Sequence, residues 1–445
     1  MADNDFVELG VSGLKRTGGD VTDEFLRKLR GQQGAKVWRE MADNDPVIGA
    51  LIFAVERLLL QMEWRVDPYD NDDQSDADLA QAEFVDECLH DMSQSWSDTL
   101  SDILSMLVYG YAFTEVVYKR RGGPEQKNAR DRSKFSDGKV GWRKWGLRSQ
   151  ETTWEWVFDP DGGIQGLQQQ DPNTFQIYTI PIEKALLFRT TTQRNNPEGR
   201  SMLRNSYRSW RFKKTIEEIE AIGIERDLAG LPVAHVPPSL LASNATGPEV
   251  AARASLEQLI RGIKRNENEG VLFPLAYDEN GRRLYELSLL SAGGQRQFDT
   301  SDIIGRYDQR IAMTVLADFI LLGHENVGSF ALGASKIDLF TTAVSQIAKS
   351  IADVVNQFAI PRLLRLNGMS VERAPRLVAS GMNHVDLGTL GQFVQSVAGV
   401  GAMSLDDALD THLRDIAGLP PREEGANLAV VEPEDVQEDA EEPVD

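Results

Sequence analysis

The chain has 445 residues, 41% hydrophobic and 26% charged, with a formal net charge of −22; that is length for two or three cores at about 150 residues each and the composition of a folded chain. One cysteine, Cys88, excludes an intrachain disulfide and a multi-cysteine metal site and fits a reducing cytoplasm. Apolar runs such as Leu58-Leu59-Leu60 and Ile320-Leu321-Leu322 fall far below the roughly 20 residues of a membrane span, and the opening MADNDFVELG lacks the basic and apolar regions of a secretory signal.

The first 40 residues are polar and broken by glycine, an arm with one short helical segment at about Thr22 to Leu29. Asp45-Pro46 opens an amphipathic helix, with Asp as N-cap, Pro at the first helical position and Val47, Ile48, Leu51, Ile52, Val55, Leu58 and Leu59 at helical spacing. MEWRVDP reads as a strand. DNDDQSDAD is dense in Asp but lacks the Gly and closing Glu of a calcium loop, so it reads as a solvated loop and helix start. A helix follows around Phe84, Val85, Leu89 and Met92 and another from Trp96 to Val108. Gly110 ends the second, and YAFTEVVYKR is a strand.

From Lys119 to Arg148 eleven Lys or Arg face three acids, with Trp142 and Trp145 among them. Two readings stand: cations with interleaved aromatics that stack bases, or an exposed, mobile hairpin with a structural or partner-contact role. TTWEWVFD, the turn Asp159-Pro160-Asp161-Gly162, and strands over 163–170, 174–178 and 185–190 complete a β-rich region.

After NNPEGR the pattern turns helical, and 201–228 carries Phe212, Ile216, Ile219 and Ile222 on one face. LPVAHVPPSLL is too rich in proline for a helix interior. A helix begins after Gly247-Pro248, and GVLFPLAY and RRLYELSLL form a hairpin across Asn280-Gly281. Helices resume over Thr300 to Leu322, glycines 323, 328 and 333 bracket a loop, and Ser335 starts a long helix to about Leu366. Shorter helices span 387–400 and 405–417. From Glu432 the chain carries eight acids, two prolines and no base, a disordered composition.

Enzyme signatures are missing: no GxxxxGK[ST], HExxH, GxSxG or GxGxxG occurs. His90, His235, His324, His384 and His412 are too far apart for a local metal-binding spacing. Cys88 sits beside Val85 and Leu89 on an apolar helical face and reads as a small buried hydrophobe rather than a nucleophile. Arg200, Arg204, Arg208 and Arg211 recur at helical spacing, extended by Lys213 and Lys214. Such a stripe contacts phosphate backbones without reading sequence; it equally suits a solvated face or pairing with acids of a neighbouring subunit. Helices of about 25 residues reach nearly 40 Å, too long for one small core, and suggest packing against further copies.

Several segments, in their order, resemble one family. They are ALIFAVERLLLQMEWRV, LVYGYAFTEVVY, IPIEKALLFRT, NNPEGRSMLRNSYRSWRFKK, IERDLAGLPVAHVPP, DIIGRYDQRIAMTVLADFIL, GSFALGAS, VVNQFAIPRLLRLNG and AGLPPREEG. Over residues 45–425 the chain resembles the phage portal proteins of the Mu-like group. One departure is Arg226-Asp227-Leu228-Ala229-Gly230, where the family often has a Phe-Gly pair before its G-x-P exit.

The resemblance implies an α+β, mainly helical portal fold with wing, stem, clip and crown regions in a dodecameric ring. It implies an N-terminal arm at 1–44, a wing at 45–200 continued at 268–322, stem helices at 201–228 and 248–267, and a clip at 229–247. A tunnel loop at 323–334, a long helix and crown at 335–425, and a disordered acidic tail at 426–445 follow. The DNA-facing loop residues are then His324, Glu325, Asn326, Val327, Ser329 and Phe330, with Val327 and Phe330 alternatively packing residues. Adaptor contacts are Leu231, Pro232, Val233, His235 and Val236, in an exposed turn, and the basic stem stripe is Arg200, Arg204, Arg208 and Arg211. No metal, cofactor or enzymatic activity is implied. The implied partners are further copies, duplex DNA, terminase, a head-tail adaptor, the major capsid protein and scaffold, in a virion assembled in the host cytoplasm. An acidic lumen with a nearly uncharged loop lets DNA slide. The competing readings are a head-tail adaptor, usually much shorter, and a metal-dependent nucleic-acid enzyme, for which no compact acidic motif exists.

Overall fold

A tight hairpin of β1 (Arg16–Thr17) and β2 (Asp20–Val21) starts the described chain. The computed structural model describes residues 10–70, 75–229, 231–262, 277, 280–290, 299–314 and 330–381. The chain divides into two units, 1–380 and 381–445, and every element below belongs to the first.

Helix α1 (Gly31–Asn44) stands where the sequence reading places an arm, with Trp38 and Met41 buried. Its N-cap residue, Arg30, makes no side-chain capping bond, so the usual start signal is absent. Helix α2 (Pro46–Gln61) begins as expected: the Asp45 carboxylate accepts from the Val47 and Ile48 amides, and Pro46 occupies the first turn. It buries Ile48, Leu51, Val55 and Leu59 and runs into β3 (Glu63–Asp67). Helices α3 (Asp76–His90) and α4 (Trp96–Tyr109) both start with capping boxes, Ser75 with Asp78 and Ser95 with Asp98. Gly110 ends α4 at φ +96°, a left-handed conformation that suits glycine; a Cβ there would lie 2.4 Å from the Glu198 carbonyl.

Strands β4 (Tyr111–Arg120), β5 (Val140–Arg148), β6 (Thr153–Phe158), β7 (Ile164–Gln170), β8 (Ile177–Pro181) and β9 (Ala185–Arg189) form two antiparallel sheets ordered β5–β4–β9 and β6–β7–β8. Val21, Tyr111, Phe113, Trp156, Leu167, Ile180 and Ala185 form one buried cluster that joins both sheets to the first hairpin; full burial of a large apolar side chain contributes about 1.5–3 kcal/mol.

Helix α5 (Tyr207–Ala229) leads to β10 (Leu231–His235), the short α6 (Pro238–Leu241) and α7 (Gly247–Gly262). Strand β11 (Glu286–Leu290) pairs antiparallel with β10. The Asn280-Gly281 turn is present, with Gly281 at φ +74° and a bridge between Tyr277 and Arg283. The expected strand before it lies outside the described residues apart from Tyr277, and β11 finds its ladder in β10. Helix α8 (Thr300–Met313) packs along α5. Helix α9 (Phe330–Val354) starts five residues before the expected Ser335; Ala331, Leu332 and Ala334 favour helix strongly enough to absorb Gly333.

A π turn over Val355–Ala359 joins α9 to α10 (Ile360–Leu366). Pro361, in the first turn of α10, has no amide proton to give the preceding turn, which accounts for the ladder being rebuilt there. Asn356 then holds strand β12 (Arg376–Ser380), donating to the Leu377 carbonyl at 3.0 Å and accepting from its amide at 2.7 Å. Strand β12, absent from the sequence reading, pairs with β3. Arg362 reaches the Ala185 carbonyl at 2.6 Å, and Asn367 brackets the Val140 backbone from both sides. The expected helices over 387–400 and 405–417 and the acidic tail lie outside the described residues.

Candidate functional site

The four arginines expected as one helical stripe are divided by the fold. Arg200 lies in an extended turn and Arg204 in a short 3-10 turn, Met202–Arg204; only Arg208 and Arg211 are on α5, which begins at Tyr207. The stripe reading is corrected accordingly, because the 3-10 turn breaks the helical phase. Arg204 is committed to Glu24 with bonds of 2.6 and 2.8 Å, and although burial alone would raise the Glu24 carboxyl, the guanidinium holds it below its ordinary range. Arg200 donates to Asn205 at 2.6 Å, and Arg208 lies over the Phe212 ring. The pairing with acids is thus found within the chain, for Arg204.

Lys213, on the first turns of α5, is 2% exposed and lies 3.0 Å from Asp45 and 2.5 Å from Asp308. The carboxylate that caps α2 therefore also receives the buried cation of α5, while α8 supplies the second acid. Burial opposes the charge on Lys213, but the two carboxylates prevail and raise its pKa. Around and beyond this root, α5 exposes Phe212 (46%), Ile219 (62%), Ile222 (49%) and Ile224 (42%). Of the apolar face read from the sequence, Phe212, Ile219 and Ile222 are exposed in the single chain and Ile216 is half-buried.

The five proposed adaptor-contact residues lie on and beside a strand. Leu231, Pro232, Val233 and His235 are in β10, paired through Val233 with Ser288 and through His235 with Glu286, and Val236 follows it. The expectation of an exposed turn is corrected here, since Val233 and Val236 are half-buried and His235 is exposed. Of the loop residues, His324, Glu325, Asn326, Val327 and Ser329 lie outside the described residues, and Phe330 is the first residue of α9.

In the basic segment the base-stacking reading is corrected. Trp142 and Trp145 are fully buried, 5.2 Å apart edge to face, and Trp145 continues through Trp96 to Trp64 at 5.8 and 5.5 Å. The aromatics stack on one another, and base stacking is excluded at these two rings. The intervening loop is tied down at its root. Lys119 lies 2.9 Å from the Asp91 carboxylate, which also accepts from Ser133 and the Lys134 amide. Arg121 lies 2.5 Å from Glu87 and 3.2 Å from Asp137, with its guanidinium over Phe135.

Sequence reasoning missed Glu198. It lines a cavity of about 460 Å³ with Asp20, Arg27, Arg30 and Glu155, and a second of about 340 Å³ with Asp23, Glu24, Arg194 and Arg204. The residue keeps some surface on its turn while its carboxyl is enclosed, and burial, with Asp20 acting in the same direction, pushes its pKa up to about 7. The only local signal was the NNPEGR turn, whose Asn195, with Arg194 just before it, takes a left-handed φ, 52° and 55° respectively. Cys88 is buried as read, its thiol pushed up by burial to about 11. Among the described residues no group of three His, Cys, Asp or Glu is placed to hold a metal ion.

Residues 35–418 match the family model described as the portal protein of Mu bacteriophage. The chain belongs to this family. As a member it is a portal protein of the capsid vertex. The fold is similar to a chain in the neck of an empty gene transfer agent particle, at TM-score 0.53 and 11% identity over 92% of this chain and 97% of that one. A chain from the neck of the native particle gives TM-score 0.52, 12% identity and the same coverages. At such identities the likeness concerns the fold, a mixture of helix and sheet.

Proposed function

We propose that this portal protein is the subunit of a dodecameric ring that conducts double-stranded DNA into and out of the capsid. The exposed apolar face of α5 carries this reading. A helix of 23 residues is about 35 Å long, and an apolar row along it calls for a covering surface; a neighbouring copy supplies one in a closed ring. In this arrangement α5 and α7 are the stem helices, 229–247 the clip, and residues up to about 200 with 268–322 the wing. The segment 323–334, whose last residues open α9, lines the tunnel, and 335–425 leads into the crown. Terminase and then a head-tail adaptor dock at the clip, and the major capsid protein and scaffold surround a ring that assembles in the host cytoplasm. The protein performs no chemistry of its own; it holds partners and lets DNA pass. Class averages of purified protein in the electron microscope test this. A twelve-fold ring with a central hole is expected, and a monomer or dimer at high concentration overturns it.

A further inference from the structure

The loop between β4 and β5 carries cations that the fold does not use. Lys119 and Arg121 are consumed by the buried pairs at its root. Arg120, Lys127, Arg130 and Arg132 are exposed, and none forms an ion pair among the described residues. Lys134 and Lys139 are exposed beside them, the first donating to the His90 carbonyl and the second over the Phe84 ring. The frame beneath is fixed: Gly123 donates to Phe135 at 2.8 Å, Ser133 to Gly123 at 3.3 Å and Arg121 to Lys139 at 2.8 Å. A fixed backbone spares the loop the cost of ordering when it meets a ligand, leaving only that of the side chains. Six exposed bases so grouped, on a chain of net charge −22, outnumber the loop's own acids, Glu125, Asp131 and Asp137, of which Asp137 is paired with Arg121 and Asp131 lies 3.7 Å from Arg143, and so form a local positive surface. At physiological salt, screening over about 8 Å leaves the distant acids little influence there.

We propose that this loop holds the phosphate backbone of duplex DNA, outside the path through the tunnel. Its ligand rests on the DNA-conducting reading above. The surface favours DNA over an acidic protein because it lacks an apolar anchor. Phe135 lies beneath Arg121 and both tryptophans are buried, whereas protein interfaces gain most of their energy from aromatic and apolar groups set in pockets. Phosphates need only the charges, and with no aromatic free to stack, the contact reads no sequence.

Fluorescence anisotropy of the full-length protein with a short linear duplex, at a series of salt concentrations, tests the assignment. Each phosphate neutralised contributes about 0.9 to the slope of log K against log salt. K127Q/R130Q/R132Q is therefore expected to lower that slope by about 3 and weaken binding by tenfold or more at low salt. K127R/R130K/R132K, which keeps the charges, retains the slope. An unchanged slope in the glutamine variant overturns the proposal, as does loss of binding in the charge-conserving one. Binding of polyglutamate that depends on these residues, without binding of the duplex, assigns the surface to an acidic protein instead. Rings with an unchanged slope sink this inference alone; the absence of rings sinks the ring reading.

Discussion

Asp45 serves two elements with one carboxylate, and its two roles separate by substitution. Asp45→Asn keeps the cap on Val47 and Ile48 while removing a charge from Lys213; Asp45→Ala loses both, and is expected to cost about 1 kcal/mol more in urea unfolding. Equal losses would show that the cap contributes nothing. Lys213→Met leaves Asp45 and Asp308 without their buried cation, with an expected loss of about 3–5 kcal/mol by the same measurement. Glu198 sets a pH dependence of defined sign. Its folded-state pKa, about 7, lies above the ordinary 4.5, so the folded protein keeps a proton that the unfolded chain releases. Stability then falls as pH rises from about 4.5 to 7 and levels off above. Glu198→Gln removes that share of the decline in thermal unfolding. A decline as steep in the variant as in the wild type would assign it to other groups.

Helices with a start signal and a stop signal were legible to within a residue or two. Helix α4 has Ser95 before it and Gly110 after it, and β4 was read with its observed limits because Gly110 resets the chain. Helix α1 was illegible because its start carries no capping signal: Arg30 makes no side-chain bond to the first turn. The base-stacking reading of the basic segment failed for a different reason. Lys119, Arg121 and the tryptophans look like a binding set in one dimension, but their partners Asp91, Glu87 and Trp96 come from other elements. Strand β12 has five residues and depends on β3 and Asn356, both distant in sequence. The β10–β11 pair stands apart as a two-stranded sheet, a form that is marginal unless something packs on it. In the ring reading, Leu231, Val233 and Val236 changed together to Ser leave rings intact and weaken adaptor capture in a pull-down; capture at the wild-type level would reject the assignment.

For the whole molecule, the order of segments across residues 45–425 pointed to the family, whose model matches residues 35–418, where composition did not, since acidic charge and a lone cysteine fit many chains. The tunnel loop rested on resemblance alone, and its DNA-facing role still does. Surface chemistry gives a sharper test of assembly. Ile219→Glu with Ile222→Glu alters residues already exposed in the single chain, so unfolding should shift by no more than about 0.5 kcal/mol while sedimentation shows rings lost. Rings that persist would place the subunit contact elsewhere. The π turn between α9 and α10 bears on how this family can vary. An added residue advances a helix by about 100°, so the turn acts as a phase adjuster that aims Arg362 at Ala185 and Asn367 at Val140. Deleting one residue from 355–359 would swing both side chains off their backbone targets together, and lineages of this fold should therefore lose or gain the insertion together with Arg362 and Asn367.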